Sequence, residues 1–445
     1  MRFGPSPSLE QLRGGQPRRV RLIAAGIGIL LFVVVLEGAS YAVAAAAPHL
    51  LGIEIRRRPH MYREHAARAR LLAEAGRSTR EVVDSLLGWR YRARYSRDGD
   101  IVSEQGLRSS RVYDSVPTPG MRRVAAFGDS FVYGSEVPTR SAWPALAELA
   151  ADRTLEVLNM GVGGYGVDQA YLRFASEAKA WSPHVALMGF TPDDLRRLVN
   201  VYRPFIDDRE LPLTKPRFML SSTGALVLRA APLRSPADYK RLADHPAIAR
   251  EFGEHDQWYT PAIYENPLYD VSATARVLSV VGTRVYRKYF GRDRLLDGAQ
   301  FHAGSTAFRL QVALFERFVR EASAAGMEPV LLMLPDLHSL ERSRAGHPTP
   351  YAPLVDTLRA RGLPVLDARL TFDSLASAGA SLHAWFMPGG HYSPHGNAVV
   401  ACLVQRRFAP ALADTLATGM RSCVDRILRE PDVQRPVAQH HQRPQ

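Results

Sequence analysis

Cysteine is almost absent: Cys402 and Cys423 are the two thiols in 445 residues. They lack CxxC spacing, which excludes the paired-thiol metal and redox motifs. In an exported domain they can form one disulfide; in a reducing compartment Cys402 is a core thiol. Blocks of like charge are also missing. The formal net charge is +13, from 57 Lys and Arg against 44 Asp and Glu, but the arginines are scattered along the chain. No zinc spacing, RNA-binding signature or basic heptad helix accompanies them, so nucleic acid is not an expected partner. A basic background composition or an anionic lipid or glycan surface accounts for the excess. No internal repeat, P-loop or dinucleotide fingerprint is present, and no metal or organic cofactor is implied.

What the chain does have is enough apolar material for a core. Hydrophobic residues make up 46% and charged residues 23%, close to the globular average. One run stands apart. Residues 22–47 are apolar except for Glu37, and about 20 such residues cross a bilayer as a helix. Residues 1–21 precede it as a polar tail carrying Arg13, Arg18, Arg19 and Arg21, which favours a cytoplasmic N-terminus. Arg56, Arg57 and Arg58 on the other side weaken that bias. The alanines at 42–47 resemble a signal-peptide cleavage site. The length of the run and of the tail before it favours an uncleaved single-pass anchor.

Residues 48–120 read as a membrane-proximal arm, with helical spacing over 65–87 that stops at Gly88. A different pattern fills 121–413. Short apolar runs at 124–127, 156–158, 185–190, 329–334 and 364–366 alternate with helical patterns at 141–151, 167–179, 307–325, 353–361 and 395–413. Such alternation predicts a parallel sheet covered on both faces, with functional residues just beyond the carboxyl ends of the strands. An insertion at 201–304 interrupts it and is far longer than an ordinary loop. That insertion is rich in aromatics and contains an amphipathic pattern over 272–290, with Leu278, Val281, Val285 and Tyr289 on one face. It reads as a local core, with a lid or sugar-stacking surface as the alternative. Residues 414–445 form a C-terminal tail, polar and proline-containing from 430 onward.

Four segments lie at the expected strand ends. The first apolar run leads into Gly128-Asp129-Ser130. This tripeptide occurs by chance in about one chain in ten of this length, so its position after a buried strand is what gives it weight. There a serine hydroxyl faces the cleft and its N–H points toward a developing oxyanion; an N-cap serine is the alternative. The second run leads into Asn159-Met160-Gly161-Val162-Gly163-Gly164-Tyr165-Gly166, a loop whose N–H groups can approach a ligand closely. The third leads into Thr191-Pro192-Asp193-Asp194. Near the C-terminus comes Pro388-Gly389-Gly390-His391, a loop histidine placed as a general base.

With these four segments in this order the chain resembles the SGNH (GDSL-like) hydrolase superfamily, more closely its bacterial membrane-anchored, polysaccharide-associated members. The resemblance covers about residues 87–413. It implies a flavodoxin-like three-layer α/β/α fold with a parallel sheet, preceded here by one transmembrane helix. It implies Ser130 as nucleophile, His391 as base, and an oxyanion hole from Ser130, Gly164 and the position held by Asp193. Two departures stand out. The family has asparagine where Asp193 stands. It also has an aspartate two or three residues before the histidine, where this chain has Gly389 and Pro388; Asp367 and Asp336 are the candidate orienting acids instead. The activity implied is an ester hydrolase or O-acetyltransferase acting on acetyl esters of an extracytoplasmic polysaccharide. The alternatives are a non-catalytic glycan-binding module of a polysaccharide assembly complex and a lipase or lysophospholipase.

Overall fold

The computed structural model describes residues 18–51, 53–74, 79–152, 154–291, 293–409 and 419–434; the rest of the two expected tails lies outside them. Five strands form the main sheet: β1 Arg122–Phe127, β2 Leu155–Asn159, β3 Val185–Phe190, β4 Glu328–Met333 and β5 Val365–Asp367. The helices used below are α1 Arg18–Leu51, α2 Ser130–Tyr133, α3 Trp143–Ala150, α4 Val167–Glu177, α5 Ala273–Val285, α6 Thr306–Ala324, α7 Pro394–Phe408 and α8 Met420–Arg429. The described residues divide into two compact units, one holding the chain up to Met61 with Thr260–Arg287, the other Tyr62–Tyr259 with the chain from Lys288 onward.

In the second unit the sheet order is β5-β4-β3-β1-β2, and every pairing is parallel. Each predicted strand corresponds to one of these five. β1, β2 and β3 are buried almost throughout, which explains why β3, and β1 from Val124 onward, read as unbroken apolar runs and not as alternating patterns; β2 also buries Glu156, paired with Arg123. Both faces are covered. Val124, Ala126 and Leu187 share a core with Trp143 of α3 and with Ala398, Val399 and Cys402 of α7. Phe127 packs instead on Phe174 of α4, which meets Phe318 of α6. The result is the expected three-layer α/β/α fold. Its strand order is of the 2-1-3-4-5 kind, in which ligands sit where the order reverses, between the carboxyl ends of β1 and β3. The two cysteines are joined: Cys402 on α7 and Cys423 on α8 form a disulfide.

The helix expected over 65–87 is present in its first part, while a strand stands in its last. The helix there spans Arg58–Ala73, and Glu81–Asp84 pairs antiparallel with Gly88–Tyr91. Asp84 makes the turn, its Oδ1 accepting from the N–H groups of Leu86 and Leu87 at 2.9 and 2.8 Å. Gly88 takes φ +86 where a Cβ would strike the Thr214 carbonyl, a conformation and an approach that glycine allows.

In the first unit α1 is long and apolar enough to cross a membrane. Over its leading turns Leu22, Ile23, Leu30, Phe32 and Val35 project outward. Its one carboxylate, Glu37, accepts from the Ser272 hydroxyl and from the N–H groups of Ala273 and Thr274. It thereby satisfies orphan donors at the start of α5. The predicted insertion helix exists as α5 followed by a π-turn at Tyr286–Phe290, but its packed face differs. Val277, Val280 and Val281 join a small core with Ala47, Ile55 and Tyr269, while Leu278, Val285 and Tyr289 are exposed.

Candidate active site

β1 ends at Phe127 and the chain turns through Gly128-Asp129-Ser130 into α2. Asp129 caps that turn, its Oδ1 accepting from the Phe131 N–H at 2.8 Å. Gly128 and Gly189 both face Val132, and a Cβ on either would collide with its Cγ2. Two glycines are therefore what lets α2 settle between the ends of β1 and β3. Ser130 is 6% exposed, at the reversal point of the sheet.

The turn is braced by charge. Asp129 Oδ2 accepts from Thr191 Oγ1 at 3.0 Å and from Arg197 Nη1 at 2.8 Å. The same nitrogen reaches Asp194 Oδ1 at 3.2 Å. Burial pushes the Asp194 carboxyl well above its ordinary value, the neighbouring Asp129 pushes the same way, and Arg197 opposes both.

The glycine-rich loop is stitched to the Ser130 segment by Met160 N to Ala126 O, 2.9 Å, and Val162 N to Gly128 O, 3.1 Å. The Gly163 N–H is engaged by the Tyr91 hydroxyl oxygen at 2.9 Å, and a Cβ on Gly163 would stand 4.0 Å from Ser130 Cβ. Gly164 follows in the left-handed region at φ +79. Among the described residues, no hydrogen bond engages the N–H of Ser130 or of Gly164. Both are free to donate to a ligand oxygen.

Asp193 does not behave as the third donor. Its Oδ2 accepts from Arg196 Nη2 at 2.9 Å and Arg197 Nη2 at 3.3 Å. Burial pushes its carboxyl up, but the two arginines outweigh this and hold it below its usual value. An ionised carboxylate has no proton to give an oxyanion. The nearby Thr191 hydroxyl is directed at Asp129.

His391 sits in a tight turn closed by Met387 N to His391 O, 2.7 Å, and Gly390 N to Met387 O, 2.9 Å. The turn is anchored by Tyr392, whose hydroxyl donates to the Pro335 carbonyl at 2.7 Å. Asn397 adds a tie to the Trp143 N–H at 2.9 Å. The imidazole packs against Phe131, the residue after Ser130, with centroids 5.2 Å apart. Its Nδ1 lies 2.6 Å from Glu136 Oε2. Glu136 also accepts from the N–H groups of Gly389 at 2.9 Å and His391 at 3.1 Å.

The two aspartates considered as orienting acids are occupied elsewhere. Asp367 takes the Tyr351 hydroxyl at 3.3 Å and the Arg369 N–H at 3.1 Å. Asp336 caps a helix through the Ser339 N–H at 2.8 Å. Sequence reasoning missed Glu136, which lies 255 residues from His391; the one hint was the missing acid before that histidine. Two surface cavities, of 520 and 290 Å³, are lined by residues of α8 and α6 among others, and neither touches Ser130 or His391.

The chain matches no protein-family model and no curated protein. Among solved structures it is similar to the lipase/acylhydrolase from Enterococcus faecalis, with 12% identity over 65% of this chain and 97% of that one, TM-score 0.32. It is similar to a GDSL-like lipase from Bacteroides thetaiotaomicron, with 10% identity over 66% and 91%, TM-score 0.29. It is also similar to an acetyl xylan esterase from Geobacillus stearothermophilus, with 11% identity over 66% and 97%, TM-score 0.34. The chain's own strand order is the 2-1-3-4-5 order of doubly wound α/β folds, and three of the four segments singled out in the sequence lie at the ends of β1, β2 and β3.

Proposed function

We propose that this chain is a membrane-tethered serine ester hydrolase or acyl-transfer enzyme acting on acetyl esters of an extracytoplasmic polysaccharide. The observation that carries the catalytic part is the convergence at one sheet end. Ser130 stands at the reversal point, unengaged N–H groups lie at Ser130 and Gly164, and His391 packs on the residue next to the nucleophile. Ser130 Oγ attacks the ester carbonyl while its proton passes to His391 Nε2. The N–H groups of Ser130 and Gly164 receive the oxyanion. Collapse expels the alcohol, which takes the proton back from His391 and leaves an acyl-serine. Water then releases the acid, or a sugar hydroxyl accepts the acyl group.

The apolar length of α1 and the arginines before it support a single-pass anchor with the α/β/α unit outside. The Cys402–Cys423 disulfide supports the same side, since structural disulfides persist in oxidising compartments. The ionised Asp193 favours a second reading, a binding module that keeps the fold without turnover, because one lost oxyanion donor costs about 10²–10³ in rate.

The test is hydrolysis of aryl esters by full-length protein in detergent, comparing wild type with Ser130→Ala and His391→Ala. Turnover abolished by both substitutions is the expected result. A folded wild type no faster than Ser130→Ala on the ester, and inert toward an acetylated oligosaccharide donor–acceptor pair, refutes the catalytic reading and leaves the binding module. Chain-length dependence separates the acetyl specialist, which fails on long acyl esters, from a lipase, which prefers them.

A further inference from the structure

We propose that Glu136 is the positioning residue for His391, performing from the nucleophile's own segment the task that a carboxylate within the histidine loop performs in the pattern this chain resembles. The inference rests on the Ser130–His391 reading above. Three independent observations lead to it.

The first is the contact itself. A carboxylate only accepts, so at 2.6 Å from Glu136 Oε2 the Nδ1 atom must carry its hydrogen. That fixes the tautomer in which Nε2 presents a lone pair, the form able to take the Ser130 proton. As the proton arrives, Nδ1–H stays on the ring and donates to Glu136, which stabilises the imidazolium without taking a proton itself. The Gly389 and His391 N–H groups hold the carboxylate in place. Burial pushes the Glu136 carboxyl up, but the hydrogen bonds from His391 and from these N–H groups outweigh it and hold the group below its usual value, so it is ionised at neutral pH.

The second is steric. A Cβ built on Gly389 would lie no more than 2.7 Å from every atom of the Glu136 carboxyl group. Position 389 is where an Asp-x-His loop would carry its acid. Glu136 therefore fills the space that an aspartate side chain at 389 would need, and any side chain there displaces it. The two acids are alternatives for one slot, and the glycine is the condition for the second.

The third is the backbone. Glu136 is held at φ +67, in the left-handed region that favours glycine. A non-glycine residue persists in such a conformation where its surroundings over-determine it, and these positions cluster at functional sites. Here the side chain supplies what a glycine could not.

The experiment compares wild type, Glu136→Gly and the double variant Glu136→Gly/Gly389→Asp as full-length protein in detergent. Glu136→Gly suits the left-handed backbone, so its melting temperature is expected to stay at or above that of wild type. Its kcat on the aryl ester is expected to fall about 10²–10⁴-fold with KM within about threefold. The double variant restores an acid to the slot and is expected to regain at least about tenfold of the loss. Histidine-selective ¹⁵N spectra read the same point without substrate: His391 protonated at Nδ1 in wild type, shifted toward Nε2–H in Glu136→Gly, and returned in the double variant. A Glu136→Gly variant with wild-type kcat, or with an unchanged His391 tautomer, overturns the inference. So does a double variant as slow as the single. Should wild type show no Ser130-dependent turnover, the tautomer alone decides this inference, and the failure belongs to the enzymatic reading.

Discussion

Arg197 is the cation that braces the Gly128-Asp129-Ser130 turn, and replacing it by methionine tests the account of the site's electrostatics. Its guanidinium lies 2.8 Å from Asp129, 3.2 Å from Asp194 and 3.3 Å from Asp193. Asp129 and Asp194 are both essentially sealed from solvent. Methionine keeps the length and apolar bulk but leaves two buried carboxylates facing each other. Breaking a buried pair by removing one partner costs about 3–5 kcal/mol. At about 2–4 °C per kcal/mol for a domain of this size, the apparent melting temperature should fall by about 6–20 °C at pH 7.5. The pH dependence has a definite sign. The folded-state pKa of Asp194 is already raised, by burial first and by Asp129 second. A raised carboxyl contributes stability that is fully present below its unfolded value of about 3.8 and is lost as pH rises through the folded value. Without Arg197 the folded value rises further. The deficit of Arg197→Met against wild type should therefore shrink between pH 7.5 and pH 5. Thermal unfolding of full-length protein in detergent, followed by tryptophan fluorescence at both pH values, measures it. A loss below about 1 kcal/mol, or a deficit that grows toward pH 5, refutes the reasoning.

Three further outcomes are expected. Replacing Cys402 and Cys423 together by serine should cost about 3 kcal/mol, since the bridge joins residues 21 positions apart; reductant should reproduce the shift in wild type and leave the variant unmoved. Lys215 and Asp168 form a fully buried ion pair, so Lys215→Met should destabilise by about 3–5 kcal/mol in denaturant melts. Pairing it with Asp168→Leu should recover most of that, because an apolar pair needs no charge compensation. Asp193→Asn exchanges an acceptor for a donor at the position that the resemblance aligns with an oxyanion donor, and should raise kcat on aryl acetate by about 10-fold or more, with an unchanged or lower rate counting against that alignment.

The five strands of the sheet could be read from the sequence because parallel strands are buried on both faces. Residues such as 185–190 therefore appear as continuous apolar runs between helical patterns. The placement of Ser130, Gly164 and His391 follows for a related reason: each lies after a strand or shortly before a helix, where local order fixes position. Residues 81–87 misled because helical spacing is shared by any segment with apolar residues three and four apart. The turn that ends the pattern is made by Asp84 bonding forward to Leu86 and Leu87, and the β pairing beyond it needs a partner strand to exist. Most of the packed face of α5 was equally out of reach, since Val280 is buried and Val277 half-buried in a core shared with Ala44 and Ala47 of α1, more than two hundred residues earlier. The carboxylate beside His391 is the clearest case. The sequence displayed a vacancy before His391 but gave no spacing rule that leads to Glu136. That choice rests on a turn held at positive φ, on a missing Cβ at Gly389, and on 255 residues of chain returning to within 2.6 Å. Local patterns set what each segment can become; only the tertiary fold decides which charges end up facing each other.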